Sequence, residues 1–454
     1  MTPRFGTDGV RGVANAELTP EFVLVLGRVA ARVLGGPRFV IGRDTRASGP
    51  LLQAALTAGI AAAGVDAVDV GVLPTPAVAA LAAADGVPAA VISASHNPYS
   101  DNGIKLFAAG GRKLADDTEA RLEAALEEQL GKGQPGGGSS TAVPVPVGAA
   151  VGRVSSDGDA RERYVTGVLA ALGGRDLGGL RVAVDCAHGA ASVTGPELLR
   201  RAGADVVAVL ADQPDGTNIN EHCGSTHPAA LQAVVRDTGA DAGLALDGDA
   251  DRVIAVDHTG TVVDGDQMIA ALALDRMARG SLVGDTVVVT VMTNLGFHLA
   301  MAEHGVTVHT TAVGDRYVLE ALDRGGWSLG GEQSGHVIFR DLATTGDGML
   351  TGLQLLDVVA RSGERLAELA GRAMVRLPQV LRNVAVDHPD RLAAAAEVWD
   401  EVKAVEAAFG ERGRVVLRGS GTEPVIRVMV EAPTHEEADL AARRLAAVVA
   451  RHLG

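Results

Sequence analysis

Cysteine is almost absent. The two present, Cys186 and Cys223, cannot build a disulfide framework, so reduced structural thiols and a cytoplasmic location are expected. Aromatic residues make up only 3% of the 454 positions, which leaves Ala, Val, Leu and Gly to fill the cores; such small side chains suit close helix-on-sheet layers. Positive charge is the minority: 40 Lys and Arg against 56 Asp and Glu give a net charge of -16. General affinity for nucleic acid is thereby excluded, since it needs a basic surface to displace counterions. A phosphate ester would be bound only where local arginines overcome the acidic background. No stretch of roughly 18 residues is apolar, uncharged and unbroken by Gly or Pro, and residues 1–8 have neither the basic nor the apolar region of a targeting peptide. A membrane partner is not expected. Also missing are the GxxxxGK[ST] phosphate loop, the GxSxG elbow and the HExxH helix.

What is present is an alternation. From Arg38 onward, short apolar runs (39–41, 67–72, 89–93) alternate with helix-like runs (51–63, 76–84), the rhythm of an α/β fold. Residues 131–147, rich in Gly, Ser, Pro and Val, read as an exposed excursion between domains. A second unit has strand-like runs at 181–184, 205–210 and 242–246. A third has strands at 286–291 and 306–309, with helices at 295–304 and 316–322. The last portion, from about 379, reads strand, long helix over 391–409, strand, turn, strand over 425–430 and closing helix from 435. There is no repeat of fixed period, but each of four units ends a strand in a polar, glycine-bearing loop. That is where ligands sit in open α/β sheets.

The loops carry chemistry. Asp247, Asp249 and Asp251, in a regular strand, would share a face but spread over about 13 Å. The segment must therefore curl to serve one ion, and Gly248 is expected to ease the curl. Three carboxylates without nearby sulfur or imidazole favour a hard cation, Mg2+ over Ca2+ if a phosphate oxygen completes the shell. A calcium EF-hand is excluded, because Arg252 and His258 stand where its glycine and glutamate belong. Standing alone, the run is equally a solvated acidic turn. Ser95, in Ser93-Ala94-Ser95-His96-Asn97-Pro98, offers a hydroxyl that can carry a phosphoryl group, or simply caps a turn. The segment 101–105 reads as a tight turn returning Lys105 toward the serine, to stabilise phosphoryl oxygens or exchange a proton. Arg418, Ser420, Gly421 and Thr422, with Arg427 nearby, are equipped to grip a phosphate dianion, although a plain β turn has the same composition. Glu332 and Ser334, between glycines, can bond sugar hydroxyls or mark a hairpin end. His222, Cys223 and His227 do not match a zinc-ligand spacing and read better as a loop lining a cleft between domains.

In this order, Phe5-Gly6-Thr7-Asp8-Gly9-Val10-Arg11-Gly12, the serine loop, Asp247-Gly248-Asp249-Ala250-Asp251-Arg252, Gly330-Gly331-Glu332-Gln333-Ser334-Gly335-His336, Thr344-Thr345-Gly346-Asp347-Gly348 and the segment 418–431 resemble the alpha-D-phosphohexomutase superfamily over essentially the whole chain. The nearest likeness within it is to the bacterial enzymes acting on glucosamine phosphates. The resemblance implies an α/β architecture of four domains around a central cleft: three mixed-sheet α/β domains at 1–155, 156–259 and 260–375, and a TATA-binding-protein-like α+β domain at 376–454. It implies Ser95 as phosphoserine, Asp247, Asp249 and Asp251 with the serine as Mg2+ ligands, and Arg252, Glu332, Ser334, Arg418, Ser420, Gly421, Thr422 and Arg427 as substrate contacts. Arg11, His96, Lys105 and His336 match positions of acid/base or charge-stabilising groups. The sequence departs from the commonest pattern where many relatives have a basic residue before Ser420 and Asn in place of His188.

The activity implied is interconversion of glucosamine 6-phosphate and glucosamine 1-phosphate through a bisphosphate, upstream of cell-wall amino-sugar nucleotides. Gln333 supports the amino sugar, because relatives handling glucose or mannose phosphates often differ there. A phosphoglucomutase or phosphomannomutase, a metal-dependent sugar phosphatase and a sugar-phosphate sensor are the alternatives. The partner is a small hexosamine phosphate, and a homodimer is left open.

Overall fold

The computed structural model describes residues 5–6, 9–131, 146–419 and 424–454. Thr7 and Asp8, nearly all of the expected linker at 131–147, and Ser420, Gly421 and Thr422 lie outside the described residues.

Four sheets follow one another along the chain. In the first, Arg38–Arg43 pairs in parallel with Asp66–Val72 and Ala89–Ile92, while Asp101–Ala108 runs antiparallel between Ala89–Ile92 and Gly9–Val13. The second has Arg181–Asp185 parallel to both Asp205–Leu210 and Ala242–Leu246, followed by antiparallel Val253–Asp257. The third repeats the scheme with Thr307–Thr311, Thr286–Thr290, Leu329–Gly331 and antiparallel Val337–Phe339. The fourth is antiparallel throughout, with Val425–Glu431 between Gln379–Ala385 and Arg414–Gly419, and the helices Ala396–Phe409 and His435–Leu453 join its core. This is the expected architecture of three mixed α/β units and an α+β unit.

The central strands Ala242–Leu246 and Val253–Asp257 are buried at every residue, as strands covered by helices on both faces must be. The scarcity of aromatics has its counterpart in close helix packing. A Cβ on Gly27 would stand 2.4 Å from the Leu56 carbonyl oxygen, and one on Gly59 2.1 Å from that of Leu24, so the helices Pro20–Leu34 and Gly49–Ala62 nearly touch backbones.

The four polar loops share one topological position. Each joins a strand to an antiparallel partner: Ala89–Ile92 to Asp101–Ala108, Ala242–Leu246 to Val253–Asp257, Leu329–Gly331 to Val337–Phe339, and Arg414–Gly419 to Val425–Glu431. In the mixed sheets this is the point where parallel pairing reverses.

Two local expectations are corrected. Residues 101–105 are not a tight turn but the start of the strand Asp101–Ala108. An Asn-Gly pair favours a turn locally, yet here both flanks of the strand find partners, and a Cβ on Gly103 would meet the Ser93 carbonyl at 2.6 Å. The helix over 391–409 is instead a 3-10 segment Pro389–Ala394 and a helix Ala396–Phe409. The Trp399 indole donates to the Leu392 carbonyl at 2.8 Å, engaging an acceptor that a continuous helix would use.

Candidate active site

Ser95 follows the strand Ala89–Ile92 in a loop that turns its backbone to φ 51°, a left-handed conformation unfavourable for a residue with a Cβ. Its amide donates to Ser93 Oγ at 2.9 Å. Its hydroxyl crosses to the second unit and donates to Asp247 Oδ2 at 2.6 Å. Serine and aspartates, 152 positions apart, thus form one site.

The aspartate run curls as expected, but through a different residue. Ala250, at φ 57°, takes the left-handed position. Gly248 serves close approach: a Cβ there would lie 2.6 Å from the Ser95 carbonyl oxygen. One carboxylate oxygen from each of Asp247, Asp249 and Asp251 lies within 4.8 Å of the others, the only such cluster of potential ligands among the described residues. Asp249 Oδ1 and Asp251 Oδ1 are buried without hydrogen-bond partners. Buried carboxylate oxygens free of hydrogen bonds, in an all-oxygen cluster, suit a hard divalent cation, so the residues fit a metal.

The charges around the cluster are unequal. Lys105 Nζ lies 2.7 Å from Asp249 Oδ2 and 3.2 Å from Asp251 Oδ2. Thr75 Oγ1 donates to Asp249 Oδ2 at 2.6 Å. Burial and then the neighbouring carboxylates Asp251 and Asp249 push Asp247 well above the ordinary carboxylate range. For Asp251 burial works the same way, but Lys105, His336 and Arg252 outweigh it and hold the group well below that range.

The other expected residues surround this centre. His96 Nδ1 lies 3.3 Å from both Ser95 Oγ and Arg252 Nη1. Burial, then Arg252 and Arg11, lower its pKa to about 4, so it is a neutral ring at neutral pH. Arg11 is opposite Gly103 in the strand register. His336 is buried between carboxylates, with Nδ1 3.8 Å from Asp251 Oδ1 and Nε2 3.4 Å from Asp315 Oδ2. Burial alone would lower it, but those two carboxylates raise it. Glu332 accepts from the Gly314 amide at 3.1 Å, and burial raises its pKa; Ser334 beside it is exposed. Arg418 and Arg427 face each other across paired strands of the fourth sheet, and burial followed by the charge of Arg427 lowers Arg418.

Several residues that contact the site went unnoticed in the sequence: Asp44 and Arg46, an ion pair beneath the serine loop; Thr75 on Asp249; Asn220; and Lys113, which pairs with Asp315 beside His336. Arg46 carried a usable signal, because Asp44-Thr45-Arg46 is another polar loop directly after a strand. Burial pushes the Cys223 thiol, between His222 and His227 in sequence, up to about 12. His188 occupies φ 48°, a left-handed conformation that His and Asn adopt more readily than most residues.

The sequence matches the four domains described as phosphoglucomutase/phosphomannomutase: alpha/beta/alpha domain I over residues 2–131, II over 162–260, III over 264–377, and the C-terminal domain over 381–448. It is 54% identical over 453 residues to a phosphoglucosamine mutase of Rhodococcus jostii, covering 98% of this chain and 99% of the relative. With the phosphoglucosamine mutase of Saccharopolyspora erythraea it shares 55% over 457 residues, 99% of each chain. A solved phosphoglucomutase/phosphomannomutase family protein from Burkholderia thailandensis superposes with a TM-score of 0.80 at 26% identity, covering 100% of this chain and 98% of the other. No helix among the described residues is long and apolar enough to cross a membrane. Four matched domains in order and relatives alike over nearly their full length show that the chain belongs to the phosphoglucomutase/phosphomannomutase family of the phosphohexomutase superfamily.

Proposed function

We propose that this chain interconverts glucosamine 6-phosphate and glucosamine 1-phosphate through a phosphorylated Ser95 and a glucosamine 1,6-bisphosphate. The observation that carries the reading is the 2.6 Å contact between the Ser95 hydroxyl and Asp247, which brings a phosphoryl-accepting oxygen to a carboxylate cluster. Likeness to phosphoglucosamine mutases over nearly the full length supports the amino sugar. Asp247, Asp249 and Asp251 would hold a divalent cation, Mg2+ by the all-oxygen donor set, which would supply positive charge to the transferring phosphoryl group.

In the forward half-reaction the bond from phosphorus to Ser95 Oγ breaks, and a bond forms to a hydroxyl oxygen of the sugar. The hydroxyl proton leaves to a base and the electron pair stays on Oγ. Lys105 and Arg11 are the cationic groups assigned to developing phosphoryl charge, with His336, whose pKa the carboxylates of Asp251 and Asp315 raise, as a third group beside them. His96, neutral at the serine, is the nearby ring able to pass a proton. The bisphosphate then reorients and returns its other phosphate to Ser95. Glu332 and Ser334 hold sugar hydroxyls, while Arg418, Ser420, Gly421, Thr422 and Arg427 hold the phosphate not reacting, so the fourth unit must loosen and re-close. The domains are taken as 1–155, 156–259, 260–375 and 376–454, each contributing one loop, and the enzyme as cytoplasmic. A phosphatase using the same serine would instead release inorganic phosphate in step with turnover.

Intact mass of the purified chain before and after glucose 1,6-bisphosphate, with Ser95→Ala as control, tests the carrier. One added phosphate, lost in the variant together with activity, is expected. Comparison of kcat/KM for glucosamine, glucose and mannose phosphates tests the substrate, and a preference for either hexose overturns the assignment.

A further inference from the structure

Two side chains that no step of the reaction uses grip the serine loop by its carbonyls. Asn220, from the second unit, donates through Nδ2 to the carbonyl oxygens of Ser95 and Asn97 at 2.9 and 3.0 Å. Arg46, from the first, donates through Nη2 to the same oxygens at 3.1 and 2.6 Å. A carbonyl oxygen has two lone pairs, so both are saturated from opposite units. Arg46 is 1% exposed with its charge balanced by Asp44, and Asn220 is 8% exposed. The grip lies inside the protein, behind the hydroxyl.

The Ser95 backbone stands at φ 51°, a conformation that a serine does not choose alone. Fixing the carbonyls on either side of His96 selects it. Asn220 also marks the spacing between loops, since a Cβ on Gly248 would stand 2.6 Å from the Ser95 carbonyl oxygen and 2.9 Å from Asn220 Nδ2. We infer that Asn220 and Arg46 are positioning residues which lock Ser95 in its left-handed conformation and set its hydroxyl against Asp247 across the junction of two units. The inference rests on the reading of Ser95 as phosphoryl carrier.

Asn220 is itself left-handed, at φ 60°, so its amide must be separated from its backbone. Asn220→Gly keeps the conformation without the donor. Asn220→Asp keeps conformation and shape but sets a carboxylate against two carbonyls. In the full-length enzyme kcat is expected to fall about tenfold in Asn220→Gly, which loses both hydrogen bonds of the amide. Asn220→Asp should fall further, with KM within about threefold of wild type in both. Loading of Ser95 by glucose 1,6-bisphosphate, followed by intact mass, should slow in step. Thermal denaturation checks folding, and Asn220→Ser replaces a variant that does not fold. If the wild type is loaded and Asn220→Asp keeps kcat within about twofold, or changes KM alone, Asn220 is only a turn residue and the inference is overturned. A wild-type chain that takes no phosphate on Ser95 overturns the carrier and, with it, the positioning.

Discussion

Replacing Lys105 by methionine removes a charge while keeping most of the side chain's volume, so its effect is chiefly electrostatic. Lys105 Nζ lies 2.7 Å from Asp249 and 3.2 Å from Asp251, with side-chain exposures of 6%, 0% and 7% respectively. Removing one partner of a buried ion pair costs about 3–5 kcal/mol. Two carboxylates share the loss here, and uptake of a proton by the cluster relieves part of it, which places the change near about 3 kcal/mol. For a cooperative unit of about 150–250 residues each kcal/mol shifts the midpoint by about 2–4 °C, so without metal Lys105→Met should melt about 6–12 °C below wild type. A divalent cation restores positive charge to the same carboxylates and binds only the folded cluster, so saturating Mg2+ should at least halve the gap, to about 3–6 °C or less. Differential scanning fluorimetry of both proteins in EDTA and in Mg2+ reads this directly. Equal melting in EDTA, or a gap that metal leaves unchanged, refutes the coupling of Lys105 to the metal cluster.

Three further outcomes are expected. Asp249→Asn should lower kcat more than it raises KM and shift the Mg2+ requirement upward; an unaltered Mg2+ titration would remove Asp249 from the ligand set. Arg418→Ala should raise KM for the sugar phosphate by about 10–100-fold, the worth of one charge-assisted hydrogen bond, and an unchanged KM would disconnect the fourth sheet from phosphate binding. Burial and then Asp264 push Asp266 up to about 7 from 3.8, so the native state holds a proton that the unfolded chain releases earlier. Its stabilisation is full below the unfolded value and disappears as pH rises through about 7. Asp266→Asn should therefore flatten the decline in melting temperature between about pH 4 and 8, and identical slopes in the two proteins would refute it.

Much of the fold was legible because its signals are local. Strand runs such as Ala89–Ile92 and Ala242–Leu246 end in polar loops at positions visible in the hydrophobic pattern alone. Asp247, Asp249 and Asp251 span so few residues that a curled backbone must bring them together. Local signals also misled: Asn102-Gly103 reads as a turn and is a strand, and Gly248 reads as the residue that eases the curl, whereas Ala250 takes the left-handed position. In both cases contacts with distant segments outweighed the preference of the residues themselves.

The chain's own order of residues determined four units, the loops that end them, and the kinds of groups those loops carry: a hydroxyl, a set of carboxylates, and arginines in an acidic background. Only the tertiary structure decided that these belong to one centre. Ser95 meets Asp247 across 152 positions, Lys105 meets Asp249 across 144, and Asn220 reaches Ser95 across 125. Periodicity and turn chemistry act over a few residues and hold no information on such separations. Sheet order and the packing of one unit on the next set them, and burial there makes the charges of Lys105, Asp249 and Asp251 depend on one another.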